Sequence, residues 1–209
     1  MIIKICGIQN EDTLLCCEKN EVNFFGMIFY PKSPRNISFE NARILQNISK
    51  DLKINGVGVF VNKNIDELGE IIKNLELKFV QLHGSEDEQY IKSLKKMNVK
   101  IIKSISIKDN NDLNKINKYE NVDYFLFDYK PLKDELPGGN SKSFDWNIIK
   151  NLKTKKQWFL SGGINLNNIQ EILVDINPCG VDLSSGVEKE LGIKDNQIIN
   201  NFIGKLKNA

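Results

Sequence analysis

Eight short apolar runs recur along the chain, each followed by a stretch with helical periodicity. This alternation constrains the fold more than any other feature of the sequence. The runs cover residues 2–6, 23–29, 56–61, 79–82, 100–105, 124–127, 158–160 and 180–183. Most are continuous rather than alternating, the pattern of parallel strands buried on both faces. The amphipathic stretches between and after them are 12–18, 38–49, 65–75, 87–97, 110–117, 145–152, 166–174 and 196–206. Eight strand–helix units of about 26 residues each predict an α/β fold, a single (β/α)8 TIM barrel. The whole chain, 1–209, is expected to form one domain, because single cores stop growing only beyond roughly 250–300 residues. A doubly wound open sheet also alternates strand and helix. It is disfavoured because no GxGxxG follows the first run and the chemically capable residues fall at the ends of many runs.

In a barrel those ends converge on one mouth. They read Cys6-Gly7, Tyr30-Pro31, Asn62, His83-Gly84, Ser104, Asp128, Ser161-Gly162-Gly163 and Ser184-Ser185-Gly186. Composition removes several other chemistries. His83 is the only histidine, so multi-histidine metal sites and additional Cys-His or Ser-His pairs are excluded. The four cysteines (Cys6, Cys16, Cys17 and Cys179) form no CxxC, and the adjacent pair Cys16-Cys17 cannot make an ordinary disulfide. A formal charge of +2 gives no reason to expect a nucleic-acid partner. No apolar run approaches the roughly 20 residues that span a bilayer, and no signal-peptide pattern opens the sequence. A cytoplasmic protein with reduced thiols and no membrane partner is expected.

Two glycine-containing loops follow the seventh and eighth runs: Ser161-Gly162-Gly163-Ile164 and Ser184-Ser185-Gly186-Val187. Glycine permits close backbone approach to an anion, and N–H groups at the start of a helical turn favour it. One such loop is as readily a plain tight turn. Two on neighbouring strands, with hydroxyls in the second, predict a phosphate site containing Gly162, Gly163, Ser184 and Ser185, beside Asp182.

Cys6 ends the first run and precedes a glycine. It reads as a base or nucleophile whose pKa backbone donors would lower, against the alternative of a small buried hydrophobe. Asp128 ends an apolar run, where a carboxyl suits a general acid; a helix cap or an ion pair with Lys130 are the alternatives. An acid and a base across one mouth are what sugar-phosphate isomerisation requires. Arg35, on a loop stiffened by Pro31 and Pro34, suits a substrate carboxylate, although a solvent-exposed loop arginine is the simpler reading. His83 is equally well a substrate contact or a structural imidazole.

Taken together, several segments resemble the phosphoribosylanthranilate isomerase family. They are Lys4-Ile5-Cys6-Gly7-Ile8, Phe29-Tyr30-Pro31-Lys32-Ser33-Pro34-Arg35, Gly56-Val57-Gly58-Val59-Phe60-Val61-Asn62, and Val80-Gln81-Leu82-His83-Gly84. Gly138-Gly139-Asn140-Ser141-Lys142-Ser143-Phe144-Asp145-Trp146, Leu160 to Ile164, Val181 to Glu188 and Gly192-Ile193-Lys194-Asp195 complete the pattern in order. The resemblance implies an Amadori rearrangement of N-(5′-phosphoribosyl)anthranilate without metal or organic cofactor. It implies Cys6 as general base, Asp128 as general acid, Arg35 facing the anthranilate carboxylate, and Gly163, Ser184 and Ser185 in the phosphate loops. A small phosphorylated substrate is then the expected partner, and the chain a monomer or homodimer. Ser141 stands where the family usually has glycine, Ser143 where threonine is common, and Tyr129 where threonine is frequent. The sister isomerase of histidine biosynthesis is disfavoured because it carries aspartate at the position of Cys6 and phosphate signatures in both halves. A non-catalytic phosphometabolite-binding barrel is disfavoured by the Cys6–Asp128 pair.

Overall fold

The computed structural model of the protein describes residues 1–132, 134–150 and 152–207. Its strands are β1 (Ile2–Cys6), β2 (Phe24–Ile28), β3 (Asn55–Phe60), β4 (Phe79–Leu82), β5 (Lys100–Ile107), β6 (Tyr124–Tyr129), β7 (Gln157–Leu160) and β8 (Gly180–Leu183). They pair in parallel and in sequence order, and β8 closes against β1 through Ile2↔Gly180 to Ile5↔Leu183. The expected closed barrel is present.

The helices are α1 (Glu11–Lys19), α2 (Phe39–Ser49), α3 (Ile65–Leu75), α4 (Glu88–Lys95), α5 (Asn110–Leu113), α6 (Ile169–Asp175) and α7 (Asn196–Lys207). Several begin where a short polar side chain accepts from a free N–H of the first turn. Asn10 caps α1, Ser38 caps α2, Asn64 caps α3 and Asp87 caps α4. Each cap contributes about 1 kcal/mol. Leu68, Ile72 and Leu75 form the buried stripe of α3, at the spacing that turns one helical face onto a sheet.

Two expected helices differ. The stretch 110–117 divides into the single turn α5 and a 3-10 segment, Asn114–Lys118. The stretch 145–152 forms only a 3-10 turn, Trp146–Ile149, and Asn151 lies outside the described residues. The connection after β6 runs through Pro131, Pro137, Gly138 and Gly139, which cannot continue a helix. Little chain then remains before β7, and one turn that buries Ile149 covers that flank. The sequence also gave no sign of a small antiparallel ribbon after β8, formed by β9 (Glu188–Glu190) and β10 (Ile193–Lys194).

Among the described residues there are two apolar cores. One lies between strands and helices and contains Leu14, Leu68, Leu94, Phe127 and Phe202. The other fills the barrel. Phe24 meets Phe79 edge-on at 4.8 Å between ring centroids, and Phe159 lies 6.2 Å from Phe24 and 5.6 Å from Tyr124. Phe24, Phe79 and Tyr124 stand at or near the first residues of their strands, so these rings plug the N-terminal floor. The opposite end is polar.

Candidate active site

The C-terminal mouth holds an open cavity lined by Cys6, Arg35, Gln81, His83, Asp128, Asp182 and Ser184, among others. It adjoins a second space bounded by residues 138–142, Ser161–Ile164 and Ser184–Gly186. All nine residues singled out from the sequence therefore border one continuous mouth: Cys6, Arg35, His83, Asp128, Gly162, Gly163, Asp182, Ser184 and Ser185. Ser104 is displaced from its expected place. β5 continues to Ile107, so Ser104 is an interior strand residue that points its hydroxyl at His83.

Cys6 is buried, the last residue of β1, and its backbone carbonyl accepts from Ser184 Oγ at 3.1 Å. Burial pushes its thiol above the usual cysteine range, and the Lys4 charge pulls it partly back. The expectation that backbone donors lower it is corrected: desolvation is the stronger influence here. The hydroxyl of Ser184 is likewise committed to the Cys6 carbonyl, and Lys194 Nζ donates to Ser184 O and Oγ. Ser184 is thus left with its backbone, rather than its hydroxyl, for an anion.

Asp128 is the penultimate residue of β6 and is buried. Its Oδ1 accepts from Tyr129 N at 2.8 Å, and its Oδ2 lies 3.4 Å from His83 Nε2. It caps no helix, and Lys130 pairs with Asp112 instead. Both alternatives to a mouth carboxyl are thereby removed. Gln81 Nε2 lies 2.8 Å from His83 Nδ1. With the amide as donor, the neutral ring carries its proton on Nε2, toward Asp128 and Ser104.

Arg35 is not a surface residue: it is 1 % exposed. Its Nε and Nη2 form a two-pronged pair with Glu188 at 2.7 and 2.8 Å, and Nη2 also donates to Gly139 O. The remaining Nη1 lies so close to Gly139 that a Cβ there would stand 2.3 Å from it. Glycine at 139 lets the loop after β6 close over the guanidinium. Lys194 also pairs with Glu188. Burial would raise the Glu188 carboxyl, but these two cations bring it down to about 2.

Gly162 and Gly163 adopt φ of +86° and +69°, a conformation that only glycine takes readily. A Cβ on Gly163 would lie 2.8 Å from Ser143 N. Among the described residues, the backbone N–H groups of Gly163 and Ser185 make no hydrogen bond within the chain. Asp182 is buried and takes the Lys4 ammonium at 2.9 Å. Burial raises its carboxyl, and Lys4 opposes that rise.

Lys4, Gln81, Glu188 and Lys194 were not singled out from the sequence as functional, yet they hold the groups that were. For Lys4 a signal existed: it is a lysine inside an otherwise apolar run, two residues before Cys6. Glu188 and Lys194 belong to a ribbon that the apolar pattern does not reveal.

A closed eightfold barrel, with a thiol and a carboxyl facing one cavity and glycine loops beside them, defines the class of (β/α)8-barrel proteins with acid–base groups at the C-terminal mouth. The family described as "PRAI: N-(5'phosphoribosyl)anthranilate (PRA) isomerase" matches residues 3–205. The N-(5'-phosphoribosyl)anthranilate isomerase of Brucella canis is 39% identical over 210 residues, covering 99% of this chain and 94% of that protein. The crystal structure of phosphoribosyl anthranilate isomerase from Thermotoga maritima superposes with a TM-score of 0.89 at 31% identity, covering 100% of both chains. A further crystal structure is that of a phosphoribosyl anthranilate isomerase in complex with reduced 1-(o-carboxyphenylamino)-1-deoxyribulose 5-phosphate. It covers 100% of both chains at 30% identity and a TM-score of 0.85. The chain belongs to the N-(5′-phosphoribosyl)anthranilate isomerase family. Among the described residues, no helix is long and apolar enough to cross a membrane.

Proposed function

We propose that the protein converts N-(5′-phosphoribosyl)anthranilate to 1-(2-carboxyphenylamino)-1-deoxyribulose 5-phosphate, the third step from chorismate to tryptophan, with Cys6 as base and Asp128 as acid. The observation that carries the assignment of roles is that Cys6 and Asp128 border the same cavity, with Arg35 beside them and the two glycine loops adjoining. Asp128 protonates the ribose ring oxygen as the ring opens, and Cys6 removes the proton from C2′ of the opened sugar. The resulting enolamine takes a proton at C1′ and loses its C2′ hydroxyl proton to become the ketone, so C2′ is oxidised as C1′ is reduced and general acid–base groups suffice.

Arg35 meets the anthranilate carboxylate through the guanidinium edge that Glu188 does not occupy. His83 steadies Asp128 and borders the substrate. The backbone N–H groups of Gly163, Ser185 and Ser184, beside Gly162, hold the phosphate, and Asp182 lies between phosphate and sugar. Residues 1–209 work as one domain in the cytoplasm, as monomer or homodimer, with no nucleic-acid or membrane partner. The test is direct: phosphoribosylanthranilate is generated in situ and its fluorescence followed as purified protein is added. Rapid loss of signal is expected, and a signal that persists at micromolar enzyme overturns the reading.

A further inference from the structure

The proposed reaction asks for a thiolate at a position where burial favours the thiol, and the buried ammonium of Lys4 beside Cys6 has no task in the steps above. Lys4 stands two residues before Cys6 on β1, so strand alternation turns both side chains to the same face. Its ammonium lies 2.9 Å from Oδ1 of Asp182, its register partner on β8, and the two side chains are 0 % and 5 % exposed. A buried ion pair is weak support for a fold, since well-packed apolar side chains often serve as well or better. The aromatic floor of this same barrel shows that such packing is open to it. Stability therefore does not explain why a lysine and an aspartate occupy the layer directly below the mouth.

We infer that Lys4 is a positioning residue for catalysis: its ammonium, anchored by Asp182, is the counter-ion of the Cys6 thiolate. The inference rests on the reading of Cys6 as the base.

The charged groups around the thiol rank clearly. Lys4 comes from its own strand, Asp182 from β8 and Lys194 from β10, while Arg35, His83 and Asp128 border the same cavity. Burial raises the thiol most; Lys4 opposes it more strongly than Lys194, and Asp182 adds to the rise. Lys4 keeps its proton despite burial, because Asp182 and Cys6 raise its affinity above the usual lysine value. Lys194 is a poorer counter-ion. Burial lowers its affinity, and it is already bonded to Glu188 and Ser184. Arg35 is likewise committed to Glu188. The Ser184 hydroxyl on the Cys6 carbonyl fixes the backbone that carries the sulfur.

The experiment is site-resolved alkylation of Cys6 by iodoacetamide across a pH series, read by peptide mass mapping, beside the pH profile of kcat/KM. In Lys4→Met the half-point of Cys6 reactivity should rise by at least about one pH unit, a roughly tenfold smaller thiolate fraction below it. The acidic limb of kcat/KM should move with it, so that raising the pH restores part of the lost activity. Lys4→Arg should keep the half-point near that of the parent protein. Asp182→Asn should move it the other way, downward, because Lys4 then serves Cys6 alone. A folded Lys4→Met protein whose thiol profile coincides with the parent's overturns the inference. If Lys4→Met does not fold, Asp182→Asn decides, and an unchanged or raised half-point overturns it. A thiol profile that shifts while the kcat/KM limb stays in place overturns Cys6 as the base, and with it the catalytic role of Lys4.

Discussion

The two ends of the barrel interior are built from the same eight strands and follow opposite rules. At the floor, Phe24, Phe79, Tyr124 and Phe159 fill space with rings, whose energy comes from area removed from water and from edge-to-face contact. At the mouth, Lys4, Asp182, Asp128 and Arg35 are comparably buried but charged, and each has a partner. The floor can exchange one apolar shape for another at moderate cost, whereas the mouth cannot lose one member without leaving its partner unsatisfied. Within the barrel interior, apolar rings occupy one end and charged groups the other.

The sharpest contrast comes from paired substitutions at the mouth. Cys6→Ala and Asp128→Asn should each lower kcat by about 10²–10⁴-fold, the usual worth of a positioned base or acid. KM should change much less. Steady-state kinetics on circular-dichroism-verified protein reads this, and near-normal turnover in either variant removes that residue from the mechanism. The floor should respond in the other way. Phe159→Ala should cost about 3–5 kcal/mol of unfolding free energy, since the ring is fully buried between Phe24 and Tyr124. The kcat of the protein that remains folded should stay within a few-fold of the parent. Urea titration and kcat measured at low temperature separate the two quantities, and a large kcat loss without destabilisation would erase the distinction between the ends.

How much of this division was readable beforehand depends on what carried each part. The barrel was legible because continuous apolar runs and amphipathic stretches repeat eight times, and the registers needed only to close β8 on β1. Cys6, Asp128 and the glycine loops were legible because they interrupt those runs at their ends. The helix expected at 145–152 was not, since its apolar spacing fits one 3-10 turn as well as two helical turns. Glu188 and Lys194 were hidden for a different reason: Glu188 pairs with Arg35, 153 residues away in sequence, and Lys194 joins the cluster only through Glu188 and Ser184. Local patterns carry no information about such a contact. The burial of Arg35 follows from it, which is why its position on a polar loop pointed to the surface.

Arg35 sharpens the comparison further, because it is both a mouth residue and a buried structural ion. Arg35→Met should lower kcat/KM by roughly 10–150-fold, corresponding to about 1.5–3 kcal/mol for a hydrogen bond to a charged group. The substitution also strips Glu188 of one of its two cations, so a single substrate cannot separate binding from support. An analogue without the anthranilate carboxylate does so. The loss should largely vanish with it if Arg35 reads the carboxylate, and equal impairment of both substrates would leave Arg35 a purely structural partner of Glu188.

The smallest effect belongs to the loop that closes over Arg35. Ser141 sits at φ +56°, in the left-handed region that favours glycine. Ser141→Gly should relieve strain of about 1 kcal/mol, partly offset by the greater freedom that glycine has when unfolded. A rise of one or two degrees in the thermal midpoint, with unaltered kcat, is expected. A clear fall would show that the serine side chain holds the loop in place.

The contact between Lys4 and Asp182 spans 178 residues of sequence, and a ribosome releases those residues in order. For nearly the whole of synthesis the emerging chain carries a lysine destined for the barrel interior but no aspartate to receive it, and β1 keeps one unpaired edge. An incomplete barrel made of the first strands can neither seal that edge nor balance that charge. Such a half-built sheet is a surface for faulty association. Any delay in translating the codons of β8 should therefore favour aggregation more than an equal delay among the first strands. The nascent protein cannot begin to work until β8 has arrived to close the barrel.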